Sequence, residues 1–183
     1  MKEILIVIDC QNDFISGSLA NEEAQKKVKN IVKKLDTFNG DAIIYTMDTH
    51  EENYLGTKEG EKLPVIHCVK GTEGWQLNPE IADAIDRAVK REILVNVVEK
   101  PTFGSFDLPI AVKDVVGDEE FYAEFVGFCT DICVVSNALI LKAAAFATEN
   151  IAVDASCCAG VTIAKHNAAL DTMRSCQIDV IGD

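Results

Sequence analysis

Short apolar runs alternating with stretches of helical period predict an α/β fold with a mostly parallel sheet, because each buried strand then returns to the sheet through a covering helix. Three observations carry this expectation. The apolar runs, Ile4–Ile8 first among them, are continuous and rich in β-branched residues, as in strands buried on both faces. The 183 residues contain no internal repeat or linker, so one domain over residues 1–183 is expected. Apolar residues make up 48% and charged residues 26%, with 11 Gly and 4 Pro, which excludes a disordered, collagen-like or low-complexity chain.

From Asn21 the period changes to that of a helix. Ala24, Val28, Ile31, Val32, Leu35 and Phe38 fall on one face, with Asn21 as N-cap, Glu22 and Glu23 in the first turn and Gly40 as the stop. The lysines at 26, 27, 29, 33 and 34 form the solvated face of that helix. Ala42–Met47 is the second strand, and a long loop runs from Asp48 to about Leu77. Asn78 caps a helix that begins with Pro79, and Ile93–Val98 is the third strand. A short helix at about Leu108–Val115 precedes strand Phe121–Val126. Helix Asp131–Glu149, strand Ile151–Ala155, helix Thr162–Ser175 and strand Ile178–Ile181 complete the chain.

Seventeen basic against thirty acidic residues give a net charge of −13, so the surface repels nucleic acid and anionic membranes, and neither is an expected partner. The run Ile4–Ile8 is too short for a signal-peptide core, and no stretch approaches the roughly 18 apolar residues of a membrane span. A cytoplasmic location is therefore expected. Seven cysteines, an odd number without a CxxC pair, read as reduced thiols.

In an open parallel sheet, ligands bind at the carboxyl ends of the strands, near the point where strand order reverses. Four strands end in polar residues: Asp9; Asp48-Thr49-His50; Glu99-Lys100; and the segment Gly127–Cys133. Under the order 3-2-1-4-5-6, the first and fourth strands are neighbours, and Asp9 faces Cys133. Cys133 then lies in the first turn of a helix, where free N–H groups favour a thiolate, and the Lys100 ammonium favours it further. Asp9 is placed to accept the thiol proton and pass it to a leaving amine. A second group lies on the long loop: Asp48 and His50 alternate on an extended backbone, and Glu59 and His67 follow. Two imidazoles with one or two carboxylates suit Zn²⁺, with Mn²⁺ or Fe²⁺ as alternatives. Trp75 reads as a packing anchor or a pocket wall, and His166, on the last helix, as structural.

Three blocks carry a resemblance: Val7-Ile8-Asp9-Cys10-Gln11-Asn12-Asp13-Phe14, the lysine of Glu99-Lys100-Pro101-Thr102-Phe103, and Gly127-Phe128-Cys129-Thr130-Asp131-Ile132-Cys133-Val134. In type, order and separation they resemble the signature blocks of the isochorismatase-like cysteine hydrolases. The resemblance implies a Rossmann-like three-layer sandwich with sheet order 3-2-1-4-5-6, and amide hydrolysis through an acyl-thioester. It implies Asp9 as acid/base, Lys100 as the charge-stabilising residue and Cys133 as nucleophile. It also implies a cis peptide before Cys129, with the backbone N–H groups of Cys129 and Cys133 as oxyanion hole. Cys129 stands where many members have alanine, a change that leaves the required backbone in place.

Asp48-Thr49-His50 with Leu63-Pro64-Val65-Ile66-His67-Cys68 resembles the metal site of the nicotinamidase branch. That resemblance implies Asp48, His50, Glu59 and His67 as ligands of one divalent ion, with Glu61 as an alternative carboxylate. It implies a pyridine carboxamide as substrate, with its ring nitrogen at the metal and Phe14 against the ring. The rival readings are a cysteine hydrolase of another small amide or isochorismate-like substrate, and a catalytically silent metal-binding protein. Assembly of several copies into a homo-oligomer is left open by the sequence.

Overall fold

A computed structural model of the chain describes residues 1–144 and 149–183. Six strands form one sheet: β1 (Lys2–Ile8), β2 (Ala42–Asp48), β3 (Leu94–Lys100), β4 (Phe121–Phe128), β5 (Glu149–Ala159) and β6 (Asp179–Ile181). Their order is β3-β2-β1-β4-β5-β6, and every pairing is parallel. Strand order reverses between β1 and β4, as the sequence led us to expect.

The side-chain period of two explains why β1 has no polar face. Ile4, Ile6 and Ile8 pack with residues of α5 (Asp107–Val116), α6 (Val135–Ala143) and α7 (Ile163–Ser175). Leu5 and Val7 point the other way, into a second core with α2 (Glu22–Thr37) and α4 (Pro79–Lys90). The result is three layers with the sheet in the middle. The Asn21 side chain accepts hydrogen bonds from the Glu23 and Ala24 N–H groups, which caps α2 as expected. Asn78 caps α4 in the same way through Glu80 N–H.

Several boundaries differ from the sequence reading. β2, β3 and β4 run on to Asp48, Lys100 and Phe128, because the ladder continues there, Asp48 pairing with Lys100 and Phe128 with Ala159. Gly40 does not stop α2: the chain leaves through the extended Phe38. Gly40 instead permits a close crossing, since a Cβ there would lie 2.4 Å from Phe38 Cζ and 2.8 Å from Glu3 Cβ. The long loop contains a single turn at Tyr54–Gly56 and the short helix α3 (Lys58–Lys62), and α1 (Asn12–Ile15) follows β1. Such short helices carry too few residues to show a period. The expected helix Asp131–Glu149 starts as a wide π-type turn, Thr130–Val134, before α6; Glu149 instead begins β5, and residues 145–148 lie outside the described residues.

One glycine is indispensable to the central junction. Gly127 has φ +118°, pairs with Ile8 across β1 and β4, and a Cβ on it would lie 2.1 Å from Ile8 O. Gly127→Ala is therefore expected to destabilise the protein by more than about 1 kcal/mol, read as a lowered midpoint in chemical denaturation. An unchanged midpoint would show that the β1–β4 contact yields easily.

Candidate active site

The carboxyl ends of β1, β3 and β4 bring Asp9, Lys100 and Cys133 together. Asp9 and Lys100 are fully buried and Cys133 is 4% exposed. Lys100 Nζ lies 2.6 Å from Asp9 Oδ2 and 3.6 Å from Cys133 Sγ, and it donates to Thr102 O at 3.1 Å. Thr46 Oγ1 donates to Asp9 Oδ1 at 2.6 Å and accepts from Asp9 N–H at 3.2 Å. Asp9 Oδ2, although close to the ammonium, takes no aligned hydrogen bond, which leaves it acceptor capacity for a thiol proton. Asp9 also sits in the left-handed backbone region at φ +45°, a sparsely populated conformation that turns the chain sharply at the strand end.

The electrostatics correct one expectation. The sequence led to a thiolate at Cys133, favoured by a helix N-terminus and Lys100; burial and the neighbouring Asp9 charge instead push it well above the ordinary range, with Lys100 opposing them incompletely. Burial also raises Asp9, against the pull of Lys100. Burial works against the Lys100 charge, but Asp9, Cys133 and Asp48 more than restore it. Cys133 thus rests as a thiol, beside the buried Asp9 carboxyl and the Lys100 ammonium.

Cys133 occupies the π-type turn that begins after Cys129, and turns of this kind occur often at functional sites. The peptide between Phe128 and Cys129 is cis, as the family resemblance implied. Two residues hold this turn: Asn137, which sequence reasoning passed over, and His166, which it read as structural. Asn137, fully buried on α6, donates to Cys133 O and Phe103 O and accepts from Ser105 N–H. His166 has Nδ1 2.7 Å from the hydroxyl of the buried Thr130. Asn137 is a polar residue on a helix whose apolar neighbours dominate the pattern, so no local signal marks it.

The second group converges as expected. Asp48 Oδ2 lies 3.1 Å from His50 Nε2 and 3.4 Å from His67 Nε2, and Glu59 Oε1 lies 3.7 and 3.8 Å from the same two nitrogens. Atoms bound to one ion at roughly 2.1 Å stand about 3.0–3.4 Å apart in octahedral or tetrahedral geometry, so the Asp48–His50–His67 group suits a divalent cation, with Glu59 standing slightly farther out. His67 Nδ1 lies 2.8 Å from Val65 O, an arrangement that keeps a proton on Nδ1 and turns the Nε2 lone pair toward the two carboxylates. Lone pairs and carboxylates facing one another in a buried site call for a positive charge between them. Burial raises the Glu59 carboxyl, with the Asp48 charge adding to it, whereas Asp48 stays well below the usual range because its bonds to His50 and His67 and the Lys100 charge outweigh its burial.

The α3 helix places the two loop carboxylates differently. It turns Glu59 inward, while Glu61 is exposed and paired with Lys58. Tyr54, unnoticed in the sequence, backs the cluster: it is 1% exposed, its ring lies 4.6 Å from His50 and 4.9 Å from His67, and its hydroxyl donates to Leu63 O. Trp75 is a packing anchor: Nε1 donates to Thr49 Oγ1, and Lys70 Nζ stands 5.9 Å from its ring centroid.

A cavity of about 790 Å³ reaches both groups, with Asp48, Glu59 and His67 on one wall and Cys129 and Cys133 on another. Phe14, edge-on to His67 at 5.7 Å, forms a third. The cavity therefore brings the Cys133 thiol, the Asp48–Glu59–His67 group and an apolar ring surface into one space.

The family model described as the isochorismatase domain matches residues 3–182. No curated protein matches the sequence. Among solved structures, the nicotinamidase/pyrazinamidase from Bacillus subtilis is 27% identical with a TM-score of 0.83, over 98% of this chain and 99% of that one. A pyrazinamidase/nicotinamidase from Streptococcus mutans UA159 is also 27% identical, with a TM-score of 0.78 over 98% and 99%. A pyrazinamidase of Pyrococcus horikoshii, solved in complex with zinc, shares the fold at 23% identity and a TM-score of 0.75, over the whole of both chains.

Proposed function

As this chain belongs to the isochorismatase family, we propose that it is a metal-containing amidohydrolase that converts nicotinamide and water to nicotinate and ammonia. The observation that carries this reading is the shared cavity: Cys133 and the Asp48–Glu59–His67 wall face one space, and Lys100 Nζ, 3.6 Å from both Cys133 Sγ and Asp48 Oδ1, joins them beneath.

In the first half-reaction Cys133 Sγ attacks the amide carbon as its proton passes to Asp9, which lowers the cost of forming a thiolate in a buried site. Lys100 holds its positive charge beside both groups and keeps Asp9 ionised until the transfer. The backbone N–H groups of Cys129 and Cys133 stabilise the oxyanion, a contribution of about 10²–10³ in rate per donor. Asp9 returns the proton to the departing ammonia, leaving an acyl-thioester on Cys133. Asp9 then takes a proton from water, the resulting oxygen nucleophile opens the thioester, and the Cys133 thiol is restored. A divalent ion, most simply Zn²⁺, held by Asp48, His50, Glu59 and His67 supplies a Lewis-acid point that orients the pyridine ring, while Phe14 packs against the ring face. We assign the enzyme to the cytoplasm and its product to pyridine nucleotide salvage, in keeping with a charge of −13 and unpaired cysteines. Among the described residues no helix is long and apolar enough to cross a membrane.

The deciding experiment is ammonia release from nicotinamide, pyrazinamide and aliphatic amides. Turnover of the two ring amides alone supports the reading, and turnover of an aliphatic amide in their place supports the rival cysteine hydrolase. The pH dependence adds a check on Asp9. It must be ionised to accept the thiol proton, and burial raises its pKa, so kcat/KM should fall with decreasing pH through a value above the ordinary Asp pKa of about 3.9. Asp9→Asn preserves size but removes the acceptor, and turnover should drop by at least about 10²-fold. Near wild-type kcat in that variant would remove Asp9 from the mechanism.

A further inference from the structure

The side chain of Gln11 is fully buried two residues after Asp9, yet it touches neither the nucleophile nor the cavity. Its Oε1 accepts from Asp48 N–H at 2.7 Å, and its Nε2 donates to Asp48 O at 2.8 Å and to Trp75 O at 2.8 Å. Two of these bonds go to the backbone of a single residue, so the amide closes a ring with Asp48 as a neighbouring strand would. β1 has by then ended, and Gln11 takes its place beside the last residue of β2. The third bond ties the ring to the far end of the long loop, where Trp75 Nε1 in turn donates to Thr49 Oγ1.

Asp48 touches both groups in the site. Its Oδ2 faces His50 and His67, and its Oδ1 lies 3.6 Å from Lys100 Nζ. A carboxylate serving two groups needs a fixed backbone, because a rotation that improves one contact lengthens the other. We propose that Gln11 is a positioning residue for the metal centre: by locking the Asp48 backbone from both sides it presents the carboxylate to the cation and to Lys100 at once. The inference rests on the metal reading given above and concerns a residue outside the ligand set.

Removing an outer partner of this kind typically costs about 10–100-fold in metal affinity. The test is calorimetric titration of Zn²⁺ into metal-free wild type, Gln11→Met and Asn12→Ala. Gln11→Met keeps length and volume but has no amide. Asn12→Ala removes a comparable tether of the same loop, the bond from Asn12 Nδ2 to Glu73 O at 2.9 Å, without touching Asp48. Gln11→Met should lose about 10–100-fold in Zn²⁺ affinity and Asn12→Ala much less. The KM for nicotinamide in Gln11→Met should rise at limiting zinc and return toward wild type in excess zinc, a recovery that a general loss of folding does not give. If Gln11→Met fails to fold, Gln11→Asn, whose amide is one methylene too short to close the ring, takes its place with the same expected loss. Wild-type affinity in the Gln11 variants, or an equal loss in Asn12→Ala, overturns the inference while leaving the metal reading intact. No Zn²⁺ binding by wild type overturns the metal reading and this inference with it.

Discussion

Cys133→Ala is expected to abolish amide hydrolysis, with kcat down by roughly 10⁴-fold or more and the fold retained, because a reaction through an acyl-thioester has no route without the sulfur. Cys133→Ser should be nearly as inactive. Burial and Asp9 already hold the thiol well above its ordinary range, and a hydroxyl, intrinsically far less acidic, would ask of Asp9 a proton transfer it cannot drive. Intact-mass measurement during turnover should find the acyl group on wild type and not on either variant. Retention of activity by Cys133→Ala, with the acyl group mapped to Cys129 or Cys157, would transfer the nucleophile's role. Those two thiols are poor candidates on physical grounds. Neither lies in contact with the Lys100 ammonium, which alone of the charges near Cys133 favours a thiolate.

The second large effect concerns the cation wall. His67→Ala removes one imidazole from a set in which each donor lies within 4 Å of two others. It also leaves two carboxylates facing each other with one fewer compensating group. Activity toward nicotinamide should fall by about 10²-fold or more in kcat/KM, and treatment with a chelator should do the same to wild type. Benzamide, with the same amide but no ring nitrogen, should be a poor substrate before and after. Equal hydrolysis of both amides by a protein free of metal would sink the nicotinamide assignment and leave a cysteine amidohydrolase of broader range. His67 Nδ1 is fixed by Val65 O, so His67→Gln, which can reproduce only part of that geometry, should bind the ion weakly rather than rescue it.

Much of this architecture is local and periodic, and the sequence reads it directly. The continuous run Ile4–Ile8 announces a strand buried on both faces, and Asn21 followed by a 3.6-residue stripe announces α2. Asp9, Lys100 and Cys133 were legible because each follows an apolar run where a parallel sheet places its ligand site. His50 and His67 were legible as two of only three histidines, both on one long loop.

What the sequence determined by itself is therefore the succession of the six strands and the longer helices, and the identity of the residues at the strand ends. Periodicity reports which face of an element is apolar, and chemical type reports which residues can carry a proton or hold a cation. The tertiary structure alone decided how those residues act on one another. The inward turn of Glu59, and not of Glu61, depends on the orientation of α3, a five-residue helix with too few turns to show a period. Tyr54 against His67, Asn137 joining the Cys133 turn to Phe103 and Ser105, His166 on Thr130, and Gln11 against Asp48 act through contacts 13 to 37 residues apart in the chain. The protonation of Cys133 shows the same limit: a helix terminus and a lysine, both visible in the sequence, favour a thiolate, but the exclusion of water and the nearness of Asp9 reverse the balance. Desolvation is set by everything packed around a group, and only the folded chain supplies it.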